Sequence, residues 1–275
     1  MKEVIENGVS QLCEKMNYMA PMSYLYNTYI YEMDIQKANI NILYRQGILT
    51  EKVYQELLVA ERLRRQIYIG KLQKDPEITK KLQAGVIEAK RMFFEANNIQ
   101  DRDVLSIKND AVYIIGFCPA IQDFDNIHFI PKNVYTGFYH VGFLELYYFY
   151  DSIKQIEYLH VKGIKDDLLP LHEGYFLQFL KDLFSIIQQG DIRTAIKVLK
   201  EFYLQYISRS LPVGYYRQFD QSSDFRYLVR TALGTGFAVE ALGEDQKKFI
   251  DISTSLKVLI ELQKILSHIY FEKYH

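Results

Sequence analysis

Tyr31-Glu32-Met33-Asp34-Ile35-Gln36-Lys37-Ala38-Asn39-Ile40 and Ser106-Ile107-Lys108-Asn109-Asp110-Ala111-Val112-Tyr113-Ile114-Ile115 decide how this chain is read. Each sets one Asp at the edge of an apolar, strand-like run. In the first, a β-favouring stretch from Tyr24 ends at Asp34, and Lys37 to Arg45 then reads as a short helix stopped by Gly47. In the second, Val104–Ile107 and Ala111–Ile115 flank Lys108-Asn109-Asp110, the pattern of a hairpin. Two carboxylates delivered from neighbouring strands can hold a pair of Mg²⁺ ions, which is what phosphoryl transfer to a nucleotide needs.

Outward from these segments, residues 1–18 have apolar positions near helical spacing and predict a short amphipathic helix. Thr50 is a good N-cap for a helix over about 51–72, one side of which is basic through Arg62, Arg64, Arg65 and Lys71. Pro76 fits the first turn of a second helix reaching Ala96. Its Lys80, Lys81, Lys90 and Arg91 read as solvated faces. Residues 126–150 predict two or three strands with turns at Lys132-Asn133 and Thr136-Gly137, and Glu157 to Gly163 a last one. From Asp166 the period becomes helical, most clearly over 173–188, 191–207 and 245–272.

Composition narrows the classes. The chain has 275 residues, 49% of them apolar and 24% charged, as expected of a protein with a real core. A formal net charge of −1 excludes a whole-protein basic field, so any nucleic-acid surface must be local. Cys13 and Cys118 lie far apart with no Cys/His cluster, against a zinc site or disulfide scaffold. No apolar stretch is long enough to span a bilayer, and Glu3 and Glu6 do not suit a signal peptide, so a cytoplasmic protein is expected. The 23 Tyr and 17 Phe, with no Trp, read mainly as aromatic core and strand residues.

The order strand–Asp, basic helix, helix, hairpin–Asp resembles the template-dependent DNA polymerases of family B, most closely the short viral and phage type. Their first motif is a strand-ending Asp followed by Ser-Leu-Tyr-Pro. Here Asp34 matches, and Ile35 to Ile40 keeps the apolar–polar outline. Their fingers motif, Lys-x-x-x-Asn-Ser-x-Tyr-Gly, is similar in length to Arg62-Leu63-Arg64-Arg65-Gln66-Ile67-Tyr68-Ile69-Gly70. Their third motif is Asp-Thr-Asp-Ser on a hairpin, of which Lys108-Asn109-Asp110-Ala111 keeps the second, metal-binding Asp. Val161-Lys162-Gly163-Ile164-Lys165-Asp166 looks like the basic step from palm to thumb.

The resemblance spans roughly residues 24–210, on order and spacing more than identity. It implies an α+β fold: an antiparallel-sheet palm over 1–50 and 77–165, short helical fingers over 51–76, and an α-helical thumb over 166–275. It implies Asp34 and Asp110 as catalytic ligands of Mg²⁺ or Mn²⁺, and Arg62, Arg65 and Gln66 facing the triphosphate. Asn39 lies near the sugar, and Lys162 and Lys108 near nucleic acid or phosphate. The implied partners are a primer–template, nucleoside triphosphates and another polymerase subunit, with no membrane, in the host cytoplasm if the chain is phage-encoded. Three departures stand out. Lys108 replaces an Asp, Asn39 replaces a sugar-sensing Tyr, and no proofreading domain fits before Asp34.

The alternative from another class is a catalytically inactive, polymerase-derived module that binds nucleic acid or a replication or transcription partner. Each Asp taken singly also reads as a helix cap or turn former. Asp123-Phe124-Asp125 is a DxD pair, a weak metal signal without a mononucleotide-binding βαβ pattern before it.

Overall fold

The computed structural model describes residues 10–164, 166, 169–217, 226–231, 234–239 and 249–275. The fold is α+β with antiparallel strand pairing, as expected. The chain divides into two compact units. One comprises Met1–Pro21 and Tyr29–Val134, the other Met22–Thr28 and Tyr135–His275.

In the first unit, β1 (Asn17–Met19) is followed by the C-terminal part of β2 (Tyr24–Ile35). Four helices come next: α1 (Ala38–Arg45), α2 (Glu51–Val59), α3 (Arg62–Leu72) and α4 (Pro76–Ala96). Then come β3 (Val104–Lys108), β4 (Ala111–Ile115), β5 (Asp123–Phe124) and the first part of β6 (Ile127–Val141). The strand order is β1-β3-β4-β2-β6, with β5 on β6. Side chains alternate along a strand. Met33 and Ile35 of β2 therefore join Val112, Ile114, Ile42, Leu43, Phe93 and Phe94 in the apolar core. Glu32 and Asp34 are left to the other face, where Tyr113 stands directly across from Glu32 and Ala111 from Asp34.

The second unit holds the first part of β2, the rest of β6, β7 (Leu144–Asp151) and β8 (Ile156–Lys162). The helices are α5 (Pro170–Glu173), α6 (Phe176–Gln188), α7 (Ile192–Ile207) and α8 (Ser253–Tyr274), with a hairpin of β9 (Arg226–Thr231) and β10 (Gly234–Val239) before α8. Tyr139, Leu146 and Tyr148 pack with Leu180, Phe184, Leu199, Leu262 and Ile269. Tyr139 stacks on Phe184 with ring centroids 4.1 Å apart, so many tyrosines serve the core as expected.

Five expectations need correction. The helix over 1–18 does not form within residues 10–18. A single 3₁₀ turn over Gln11–Glu14, capped by Ser10, gives way to β1, because Asn17–Met19 finds a partner in Ser106–Lys108. Residues 1–9 lie outside the described part. The helix over 51–72 is two helices. Ala60 and Glu61 are extended, and the break is held by Arg65 Nη1 donating to the Ala60 carbonyl at 2.6 Å and Lys37 Nζ to that of Leu58 at 2.8 Å. Basic side chains bonding the last carbonyls of a helix favour its ending there.

The turns expected at Lys132-Asn133 and Thr136-Gly137 are absent. β6 runs through both pairs, and the chain reverses at Gly142, with φ 63°. A Cβ at Gly137 would lie 2.9 Å from Gln188 Nε2, the far end of a flexible side chain, so the Gly is no turn signal. Lys90 is fully buried rather than solvated, and its ammonium donates to the Lys15 carbonyl. Finally, β9 and β10 interrupt the region read as wholly helical. The helices over 37–45, 76–96, 173–188 and 191–207, the hairpin at Asn109 and the last strand form close to where their patterns put them. The helix expected over 245–272 starts later, at Ser253, with 249–252 outside it and 245–248 outside the described residues.

Candidate functional site

Asp34 ends β2, and Asp110 sits in the turn between β3 and β4. Their segments are adjacent: Asp34 is opposite Ala111, and the amide of Ile35 donates to the Asp110 carbonyl at 3.4 Å. The turn is pinned by Asn109, which is left-handed at φ 56° and whose amide donates to the Met16 carbonyl at 2.7 Å. Asn tolerates that conformation better than most side chains.

Both carboxylates line one cavity of about 500 Å³, the size of a small-molecule site. Its wall also contains Lys37 and Asn39 at the start of α1, Arg62, Arg65 and Gln66 from α3, and Gln73, the C-cap of that helix. The spacing 62, 65, 66, 69, 73 is one face of a helix. Arg64 and Lys71 fall off that face and do not line the cavity. A smaller cavity of about 330 Å³ shares Asn39, Gln73 and Asp110 with the first.

Three chain segments distant in sequence thus converge, with carboxylates and guanidinium groups around one space. The start of α1 adds to this. Lys37, its N-cap, is itself left-handed at φ 50° and makes no side-chain cap, so no side-chain oxygen closes the helix N-terminus beside the cavity. Exposed amides at a helix N-terminus suit anionic groups such as phosphate.

The electrostatics centre on Asp110. Burial pushes its carboxyl above the ordinary carboxylate range, and the negative charge of Asp34 adds to this. Its own backbone amide, Lys132 and Lys90 pull the other way. Two carboxylates held this close favour a cation between them. Among the described residues no group of three or more His, Cys, Asp and Glu side chains gathers to hold a metal. Mg²⁺ commonly takes one or two carboxylates with water and phosphate oxygens completing its shell, and the pair fits that donor set.

Sequence reasoning missed Lys132, whose Nζ lies 3.3 Å from Asp34 Oδ2. It stands on β6 but, with Asn133, reads as a turn in the sequence, and nothing in its local pattern points to a carboxylate. Also missed is the support beneath. Glu32, 2% exposed, accepts from Tyr113 Oη at 2.9 Å and from Asn133 Nδ2 at 2.6 Å, tying β4, β2 and β6 together two residues from Asp34.

The remaining sites fall elsewhere. Lys108 ends β3 opposite Ala111 and Asn17, and it is not part of the cavity wall. Lys162 ends β8, opposite Glu145, in the second unit, and Lys165 lies outside the described residues. Asp123 begins β5, and Asp125 sits in the tight turn between β5 and β6, left-handed at φ 53°. Asp123 pairs with His128 at 2.7 Å, and neither Asp lines the cavity.

Among the described residues no helix is long and apolar enough to cross a membrane. The family described as bacteriophage PBS1 gene 130 protein matches residues 8–268, nearly the whole chain, and the chain belongs to that family. No curated protein matches it.

Proposed function

We propose that this member of the gene 130 family of phage proteins is a template-dependent nucleotidyltransferase of the DNA-polymerase kind, working in the host cytoplasm, alone or as one subunit of a split polymerase. The observation that carries the reading is the shared cavity, in which Asp34 and Asp110 from two strands meet Asn39 from α1 and Arg62, Arg65 and Gln66 from α3. Those residues have separate local roles in the sequence, and a metal–triphosphate site is the chemistry that needs all of them in one place.

In this reading Asp34 and Asp110 would hold Mg²⁺ or Mn²⁺, which would supply Lewis-acid activation of a primer hydroxyl and charge neutralisation of the departing pyrophosphate. Arg62 takes the phosphate oxygens, with Arg65 and Lys37 dividing their donors between the ligand and the carbonyls of Ala60 and Leu58. Gln66 and Asn39 supply neutral donors and acceptors for the triphosphate and the sugar. Positioning and charge neutralisation account for most catalysis in phosphoryl transfer. Lys162 and Lys108 lie on strands outside this wall and serve nucleic-acid backbone contacts.

Primer extension with Mg²⁺ or Mn²⁺ tests it. Asp34→Ala and Asp110→Ala each lower extension by about 100-fold or more, the scale of losing a principal charge-stabilising group. Equal extension by both variants and the unaltered protein refutes the assignment.

A second reading, a catalytically inactive module that binds nucleic acid or a protein partner, draws on the ion pair between Lys132 and Asp34, which already satisfies one of the two carboxylates. A chain that shifts a primer–template or co-purifies with a partner subunit, yet takes up no Mn²⁺ in the presence of nucleotide, establishes that reading instead.

A further inference from the structure

We propose that Lys132 is an exchangeable counter-ion of the carboxylate pair, so that divalent metal enters this site together with nucleotide phosphates rather than alone. The inference rests on the nucleotidyltransferase reading and goes beyond it by naming the residue that sets the order of binding.

The geometry is specific. Lys132 Nζ is 3.3 Å from Asp34 Oδ2, on the same carboxylate that a cation shared with Asp110 would use. The Asp34 side chain is three-quarters buried, while that of Lys132 is 55% exposed. The ammonium is therefore free to swing away on its four-carbon stem, whereas the carboxylate is not. The backbone beneath Lys132 is fixed, because its neighbour Asn133 donates to buried Glu32, which also accepts from Tyr113. The strand thus keeps the stem of Lys132 within reach of Asp34.

Counting charge explains the order. Asp34 and Asp110 carry two negative charges; Lys132 pairs with one of them before any metal arrives, and Lys90 acts on Asp110 in addition. A bare divalent cation must displace that ammonium and gains only part of the attraction of an unpaired dicarboxylate. A metal–triphosphate complex offers the displaced Lys132 new phosphate oxygens, and Arg62 and Lys37 bind the remainder.

Mn²⁺ binding to the full chain, followed by electron paramagnetic resonance with and without a nucleoside triphosphate, tests this. The expected result is weak binding of Mn²⁺ alone to the unaltered protein and much tighter binding with nucleotide present. Lys132→Met should tighten binding of Mn²⁺ alone by roughly tenfold, the effect one ammonium at this range has on a carboxylate's proton affinity. Asp34→Asn should abolish that gain in the Lys132→Met background. Thermal melting of Lys132→Met, altered at an exposed side chain, should match the unaltered protein.

Equal Mn²⁺ affinity in Lys132→Met and the unaltered protein overturns the counter-ion role while leaving the metal site standing. Failure of both proteins to bind Mn²⁺, even with nucleotide, overturns the counter-ion role and the nucleotidyltransferase reading together.

Discussion

Lys90 shows how much a single buried side chain can cost. Burial lowers its pKa to about 8, with the charges of Cys13 and Asp110 pulling it partway back up. In the unfolded chain a lysine titrates near 10.4. Below pH 8 the amine is protonated in both states, and the fold bears the full penalty of a buried charge. As pH rises from 8 toward 10.4 the unfolded chain holds a proton that the folded chain has released, so this group makes the protein more stable with rising pH. Lys90→Met should remove that rise and stabilise the protein at pH 7 by about 2 kcal/mol, after the lost hydrogen bond to Lys15 is discounted. Urea unfolding at pH 7 and pH 9.5 reads both effects, and an unchanged pH slope in the variant counts against it. The sequence could not announce this lysine. It falls among Lys80, Lys81 and Arg91, and only the partner at Lys15, 75 residues away, distinguishes it. Asp34 and Asp110 were legible because each sits where a period changes, from strand to helix or across a hairpin turn. Lys132 was not, because its partner is set by strand pairing, which leaves no local pattern.

Elements were read well where they end on local chemistry and poorly where they end on tertiary contacts. α4 begins at Pro76, which the sequence marks as a helix start, and Asp75 caps it by accepting from the Glu77 amide at 2.9 Å. The break between α2 and α3 carries no Gly or Pro. It depends on Arg65 and Lys37 reaching the carbonyls of Ala60 and Leu58. Arg65 thus has two tasks, ending α2 and facing the cavity. Arg65→Lys keeps a charge but loses the planar fork. It should weaken nucleotide binding several-fold and leave helix content by circular dichroism unchanged. Arg65→Ala should lower the melting temperature as well, by about 2–4 °C for a cap worth near 1 kcal/mol. A melting temperature unmoved by Arg65→Ala rules out the capping role.

At the level of the whole molecule, the change to a helical period from Asp166 was legible in α6 and α7, while the compact units divide at other positions. The second takes Met22–Thr28 from early in the chain and everything from Tyr135 onward. The segment Met22–Thr28 contributes to its sheet: the amide of His140 donates to the Ser23 carbonyl at 2.8 Å, and Tyr24 and Tyr26 pack on its core. Burial raises the Tyr24 hydroxyl to about 12, helped by its hydrogen bond to Glu272 on α8. A fragment of residues 135–275 lacks that strand and leaves one edge of β6 open, so it should aggregate or unfold on its own. The same fragment carrying residues 22–28 through a short linker should recover cooperative melting. Cooperative melting of the bare fragment at the temperature of the linked one contradicts the need for the strand.

β2 serves both units, and this constrains how the gene can change. Between Asn27, where the strand carries a left-handed residue, and Asp34 the chain has a fixed count of alternating positions. Loss or gain of one codon there would exchange Asp34 with the inward places of Met33 and Ile35 and drive a carboxylate into the apolar layer. Surface loops in general tolerate insertions and deletions. The seven-residue interval from Asn27 to Asp34 should keep its length in relatives whose surrounding residues have been replaced almost entirely, and an alignment of those relatives would expose any departure at once.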